Sequence, residues 1–126
     1  MISLREKQVI FHRAVALLII EAYKRGIEIF INELYRDITK QAELFQKGLT
    51  KTLKSKHLSG LAVDLYILKD GKVILDPVKE YYILGEIWES WGGIWGGHFK
   101  SFKDVYHFEY SEKLNPPVKK FIMSNP

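Results

Sequence analysis

Two stretches concentrate reactive side chains at spacings that chemistry uses. The first runs Ser55-Lys56-His57-Leu58-Ser59-Gly60-Leu61-Ala62-Val63-Asp64. It sets an imidazole at the mouth of a strand and a carboxylate on that strand, seven positions later. Between them Gly60 and Ala62 are small, which lets the backbone pass close to a bound ion or substrate. The second runs Asp104-Val105-Tyr106-His107-Phe108-Glu109. Here a carboxylate and an imidazole lie three apart, and His107 and Glu109 share one face of a strand. The two stretches supply two neutral imidazoles and a carboxylate, with a further carboxylate to spare. Two His and one carboxylate form the donor set of a catalytic zinc site that keeps its fourth position open. A spare carboxylate beside such a site is the proton acceptor that an activated water needs. Spacing alone stops at a His/His/carboxylate metal site. Arg36 adds a guanidinium fork suited to a carboxylate or a developing oxyanion; its alternative is a surface arginine paired with Glu33 or Asp37.

These residues must be held by elements that the pattern also indicates. Ser3 to Arg25 reads as a long helix ending at Gly26, with apolar residues at Ile10, Ala14, Leu17 and Leu18. Val9, Ala16, Ile19 and Ile20 add a second apolar face, so burial on most sides is expected. Ile27 to Ile31 is β-branched and aromatic and reads as a strand. Asp37 caps a second helix to about Lys47, closed by Gly48. Leu61 to Leu68 alternates, Asp70-Gly71 makes a turn, and Val73 to Leu75 returns as a hairpin. Pro77 opens a third helix over Val78 to Trp91, in its first turn. Gly92, Gly93, Gly96 and Gly97 predict a glycine-rich loop, and Val105 to Tyr110 a last strand. The expected class is α+β, a small, mainly antiparallel sheet with about three helices. One domain is expected over residues 1–126, with 116–126 as a tail.

Composition narrows the chemistry. The chain has 126 residues, 47% hydrophobic and 27% charged, an ordinary globular balance. It has no cysteine, which excludes disulfides, thiol nucleophiles and thiolate metal sites. The net charge of +4 permits an anionic partner without demanding one. The longest apolar run, Ala14 to Ile20, falls far short of the roughly 20 residues a membrane span needs. His12, Arg13 and Gly26 interrupt what would otherwise pass for a secretory signal, so no export address is expected.

Taken together, the motifs resemble a known family. It is the group of zinc peptidases comprising D-alanyl-D-alanine carboxypeptidases and dipeptidases and the phage L-alanyl-D-glutamate endopeptidases, which share a Hedgehog-like fold. The first metal motif, Ser-x-His-x-x-Gly-x-Ala-x-Asp, is present in full at Ser55, His57, Gly60, Ala62 and Asp64. The second appears as Asp104, His107, Phe108 and Glu109, and the arginine motif as Tyr35, Arg36, Gln41 and Leu44. A phage-type loop appears as Trp95-Gly96-Gly97 followed by Lys100-Ser101-Phe102-Lys103-Asp104. The chain departs from the family's usual pattern at Asp37, His98-Phe99 and Tyr106, positions expected to line the cleft.

The resemblance implies one zinc ion on His57, Asp64 and His107, with Asp104 as general base. It implies that Arg36 holds a substrate carboxylate or the tetrahedral intermediate, and that Ser55 touches substrate. It implies a peptidoglycan stem peptide as substrate, cut at the L-alanyl–D-glutamate bond. D-alanyl-D-alanine carboxypeptidase or dipeptidase activity is the alternative, and a non-catalytic cell-wall or nucleic-acid binding module the alternative of another class. The expectation is a monomer with no nucleic-acid partner and no membrane insertion, made in the cytoplasm and acting on the wall after release. His12 reads as structural, His98 as a solvated loop histidine, and Trp88 and Trp91 as core. Trp95, flanked by glycines, reads as facing the cleft. Lys47, Lys51, Lys54 and Lys56 read as a solvated basic loop or an attractor of anionic polymer. Glu109 reads equally as partner of a ligand histidine or as an ordinary strand residue.

Overall fold

The computed structural model describes residues 2–34, 37–48 and 56–124. Its first helix, α1 (Leu4–Lys24), starts at a capping box: the Ser3 hydroxyl accepts from the Glu6 amide and the Glu6 carboxylate accepts from the Ser3 amide. One stripe of α1, carrying Phe11, Ala14, Val15, Leu18 and Ala22, is buried. The second apolar face is not. Val9 and Ile20 are 47% and 38% exposed, and Ala16 and His12 also face outward. The sheet and the third helix pack against one side of α1 only, so the expectation of burial on most sides is corrected.

The strands are β1 (Glu28–Glu33), β2 (Ala62–Lys69), β3 (Lys72–Ile74), β4 (Ile94–Trp95) and β5 (His107–Glu109). They form an antiparallel sheet in the order β1-β2-β5-β4, with β3 also paired to β2. Asp70 and Gly71 both adopt positive φ, 52° and 75°, as the two-residue hairpin between β2 and β3 requires. Alternation along β2 divides the residues between two faces. Val63, Leu65 and Ile67 join Phe108 in the core, while Asp64 and Tyr66 face the other way. The register sets Asp64 opposite His107 on β5 and opposite Glu33 at an irregularity in β1.

The other helices are α2 (Ile38–Gln46), capped by the Asp37 side chain, α3 (Lys79–Ser90) and α4 (Val118–Ser124). Val78 is the N-cap of α3, so Pro77 precedes the helix instead of occupying its first turn. The glycine-rich segment holds β4 and a 3₁₀ turn, Gly96–His98, and the last strand is shorter than its alternation suggests. Residues expected as a tail carry α4, whose Phe121 ring lies 5.0 Å below the Lys24 ammonium.

Trp95 is 1% exposed. Its indole N–H donates to the Val105 carbonyl at 2.9 Å. A Cβ on Gly85 or on Gly97 would lie 2.2 Å from the indole ring, so the absence of side chains there makes room for it. The expectation that Trp95 faces the cleft is therefore corrected: Gly97 beside it and Gly85 on α3 admit the ring to the core. Trp88 is fully buried and donates to the Glu109 carbonyl at 3.0 Å, tying α3 to β5.

Candidate metal centre

Three elements bring the donors together. A 3₁₀ turn, Lys56–Ser59, carries His57 to the end of β1 and against Asp64 of β2, where it is 1% exposed. Its Nδ1 lies 3.2 Å from the Leu34 carbonyl, with Glu33 Oε1 at 3.9 Å. A carbonyl only accepts, so this bond puts the ring proton on Nδ1 and leaves Nε2 to face Asp64 Oδ1 at 3.4 Å. On β5, His107 makes the mirror choice. Its Nε2 donates to Glu109 Oε1 at 2.7 Å, and its Nδ1 faces the same Asp64 oxygen at 3.7 Å. One atom from each of His57, Asp64 and His107 lies within 4.8 Å of the others.

This donor set fits a divalent zinc ion. Bonds of about 2.0–2.2 Å in a tetrahedron place donor atoms roughly 3.3–3.6 Å apart. The 3.4 Å separation falls in that range and the 3.7 Å one lies just beyond it, so modest closure completes the set. Both imidazoles have their outer nitrogen bonded to an oxygen, which fixes the tautomer that a ligand needs.

The electrostatics belong to a cluster held by protons when no ion is bound. Burial pushes the Asp64 carboxyl up, but the neighbouring His107 and His57 rings outweigh it and bring it to about 2. Burial pulls His107 down, but its bonds to Asp64 and Glu109 raise it to about 9. Glu109 is lowered: its burial is overcome by His107 and by Lys56, whose ammonium lies 2.8 Å from Glu109 Oε2.

Asp104 stands beside this cluster. Its amide donates to the Gly96 carbonyl at 2.9 Å, and its Oδ1 accepts from the Tyr106 amide at 3.1 Å, an Asx turn that aims the segment at His107. Gly96 must lack a side chain, because a Cβ there would lie 2.3 Å from the Asp104 carbonyl oxygen and 2.9 Å from His107 Cβ. Burial and the charge of Asp64 raise the Asp104 pKa, against the opposing pull of His107.

His57, Asp64, His107, Asp104 and Glu109 are thus assembled as one group, and Glu109 is a partner of a clustered histidine. His98 lies apart, exposed, with its Nδ1 2.9 Å from Glu89. Tyr35, Arg36, Ser55, Lys51 and Lys54 lie outside the described residues. Sequence reasoning passed over the Leu34 carbonyl and the link from Lys56 to Glu109. The only local sign of that link was a lysine directly before His57.

A family model described as D-alanyl-D-alanine carboxypeptidase matches residues 48–110. The chain is 33% identical over 106 residues to the peptidoglycan L-alanyl-D-glutamate endopeptidase CwlK of Bacillus subtilis, covering 70% of this chain and 64% of that protein. It is 31% identical over 94 residues to an L-alanyl-D-glutamate peptidase of a Listeria phage, covering 70% of this chain and 32% of the phage protein. Both matches therefore span less than two thirds of the relative's length. The fold is similar to that of the Serratia marcescens L-Ala D-Glu endopeptidase ChiX, with a TM-score of 0.60 and 28% identity over 75% of this chain and 77% of that one.

Proposed function

The chain belongs to the D-alanyl-D-alanine carboxypeptidase family of peptidases, and we propose that it is a zinc-dependent enzyme hydrolysing the L-alanyl–D-glutamate bond of bacterial peptidoglycan stem peptides. The observation that carries this reading is the convergence of His57, Asp64 and His107 beside the carboxylate of Asp104. The choice of bond draws on the named activities of the relatives from Bacillus subtilis, the Listeria phage and Serratia marcescens.

His57 Nε2, Asp64 Oδ1 and His107 Nδ1 would hold one zinc ion. When bound, the ion supplies Lewis-acid polarisation of the scissile carbonyl and makes water more acidic. Asp104 takes the proton of the attacking water as its oxygen bonds to the carbonyl carbon. It returns that proton to the leaving amine as the C–N bond breaks, so carboxylate and amine products balance. Arg36 and Ser55 keep the roles that the resemblance implies: Arg36 neutralises a substrate carboxylate or the oxyanion, and Ser55 contacts substrate. In this reading the enzyme acts as a monomer. Among the described residues no helix is long and apolar enough to cross a membrane, and the site of action in this reading is the cell wall.

The test is mass spectrometry of purified muropeptides incubated with the protein, with and without a chelator. Fragments split between L-alanine and D-glutamate, lost on chelation, support the reading. Release of terminal D-alanine assigns the carboxypeptidase activity that the family model's description favours. Binding to sacculi in a salt-sensitive manner with no cleavage assigns a non-catalytic module.

A further inference from the structure

We propose that Lys56 is a positioning residue of the metal centre, a strap that joins the turn bearing His57 to the strand bearing His107 and orients His107 through Glu109. The inference rests on the metal reading proposed above.

The two oxygens of Glu109 have different partners. Oε1 accepts from His107 Nε2 at 2.7 Å, and Oε2 faces the Lys56 ammonium at 2.8 Å. The same ammonium donates to the Tyr110 carbonyl at 2.9 Å, so it grips both the side chain and the main chain at the end of β5. At its other end Lys56 is anchored in the turn that holds His57. Its carbonyl accepts from the Leu61 amide at 3.0 Å and from the Ser59 hydroxyl at 3.1 Å. One residue thus spans the two halves of the donor set, from distant parts of the chain.

The exposure of the two partners distinguishes orientation from bulk stability. The Lys56 side chain is 41% exposed, and an ion pair with so wet an ammonium adds little to folding. The Glu109 side chain is only 14% exposed. Without Lys56 its second oxygen loses its charge partner, and the carboxylate is free to swing. His107 then loses the acceptor that points its Nδ1 at Asp64.

The experiment measures zinc affinity by competition with a chromophoric chelator, on the full chain, for the wild type, Lys56→Arg, Lys56→Met, Glu109→Gln and the Lys56→Met/Glu109→Gln double variant. Metal-free thermal unfolding is recorded for each. We expect Lys56→Met and Glu109→Gln each to weaken zinc binding by about 10–100-fold, and Lys56→Arg to stay within about threefold of wild type. The double variant should be no weaker than the worse single, since both act through one orientation of His107. Wild-type affinity in Lys56→Met, or additive losses in the double variant, would overturn the inference. So would a drop in metal-free Tm for Lys56→Met that Lys56→Arg fails to restore, which would mark a purely structural role. If Lys56→Met does not fold, a normal affinity in Glu109→Gln overturns it equally. A wild-type protein that takes up no zinc would sink the metal reading itself, and this inference with it.

Discussion

His57 and His107 meet edge to face, their ring centroids 5.3 Å apart and their planes at 69°. They present different nitrogens, Nε2 and Nδ1, to one oxygen of Asp64. The asymmetry follows from their outer partners. A main-chain carbonyl from Leu34 holds one ring, and the Glu109 carboxylate holds the other.

Removing any of the three donors should abolish metal retention. His57→Ala, His107→Ala and Asp64→Asn should each lose stoichiometric zinc, read by elemental analysis after gel filtration, together with muropeptide hydrolysis. Chelation of the wild type should lower Tm, because an ion that binds only the folded state contributes about 4 kcal/mol at a thousandfold excess over Kd. Equal Tm with and without chelator would contradict a metal held by folded geometry.

The metal-free and zinc-loaded proteins should respond oppositely to pH. His107 is raised from 6.5 to about 9, so its contribution to stability is full below pH 6.5 and is lost as pH rises through 9. Asp64 is lowered from 3.8 to about 2, so its contribution is full above 3.8 and is lost as pH falls through 2. The contributions of these two groups to the metal-free protein are therefore both full between about pH 4 and 6.5. That protein should lose on the order of 2 kcal/mol between pH 6.5 and 9. Zinc uptake requires His107 to release its proton, so affinity should climb over that same interval. Thermal unfolding across pH, with and without zinc, checks both slopes.

Asp104→Asn should separate binding from turnover. The amide oxygen can still accept from the Tyr106 N–H, so the turn before His107 survives. Zinc content should match wild type, while kcat falls by roughly 10²–10⁴, the usual contribution of a positioned base. Unchanged kcat would remove Asp104 from the mechanism.

Two glycine substitutions should fail in different ways. Gly85→Ala puts a methyl 2.2 Å from the Trp95 ring, with no donor residue among the nearest atoms. It should cost about 1–3 kcal/mol by overpacking, with zinc affinity close to wild type. Gly96→Ala presses on the Asp104 carbonyl and on His107 Cβ, so zinc affinity and hydrolysis should fall with stability. Tm and zinc titration on both variants distinguish the cases.

The donors were legible in the sequence because each motif is local: seven positions join His57 to Asp64, and three join Asp104 to His107. The sheet was legible from the alternation of β2 and the Asp70-Gly71 turn. Contacts between distant segments were not. Glycines around Trp95 look the same in sequence whether they loosen a loop or seat a ring, and the ring's other wall, Gly85, comes from another element. The outer face of α1 is as apolar as the inner one at Val9, Ala16 and Ile20, and nothing local says that no layer of the described residues covers it. Lys56 finds Glu109 across 53 positions, beyond any periodic signal.

The pairing of Asp64 with His107 across β2 and β5 has a consequence for how competence is acquired. Slipping these strands by one residue would invert β5, driving His107 among the aliphatic side chains and exposing Phe108 to water. The same hydrogen-bond ladder that seals the interior also aligns the donors, so misaligned yet well-packed isomers are energetically closed off. A renatured sample should then recover its zinc stoichiometry in step with its native fluorescence, molecule for molecule.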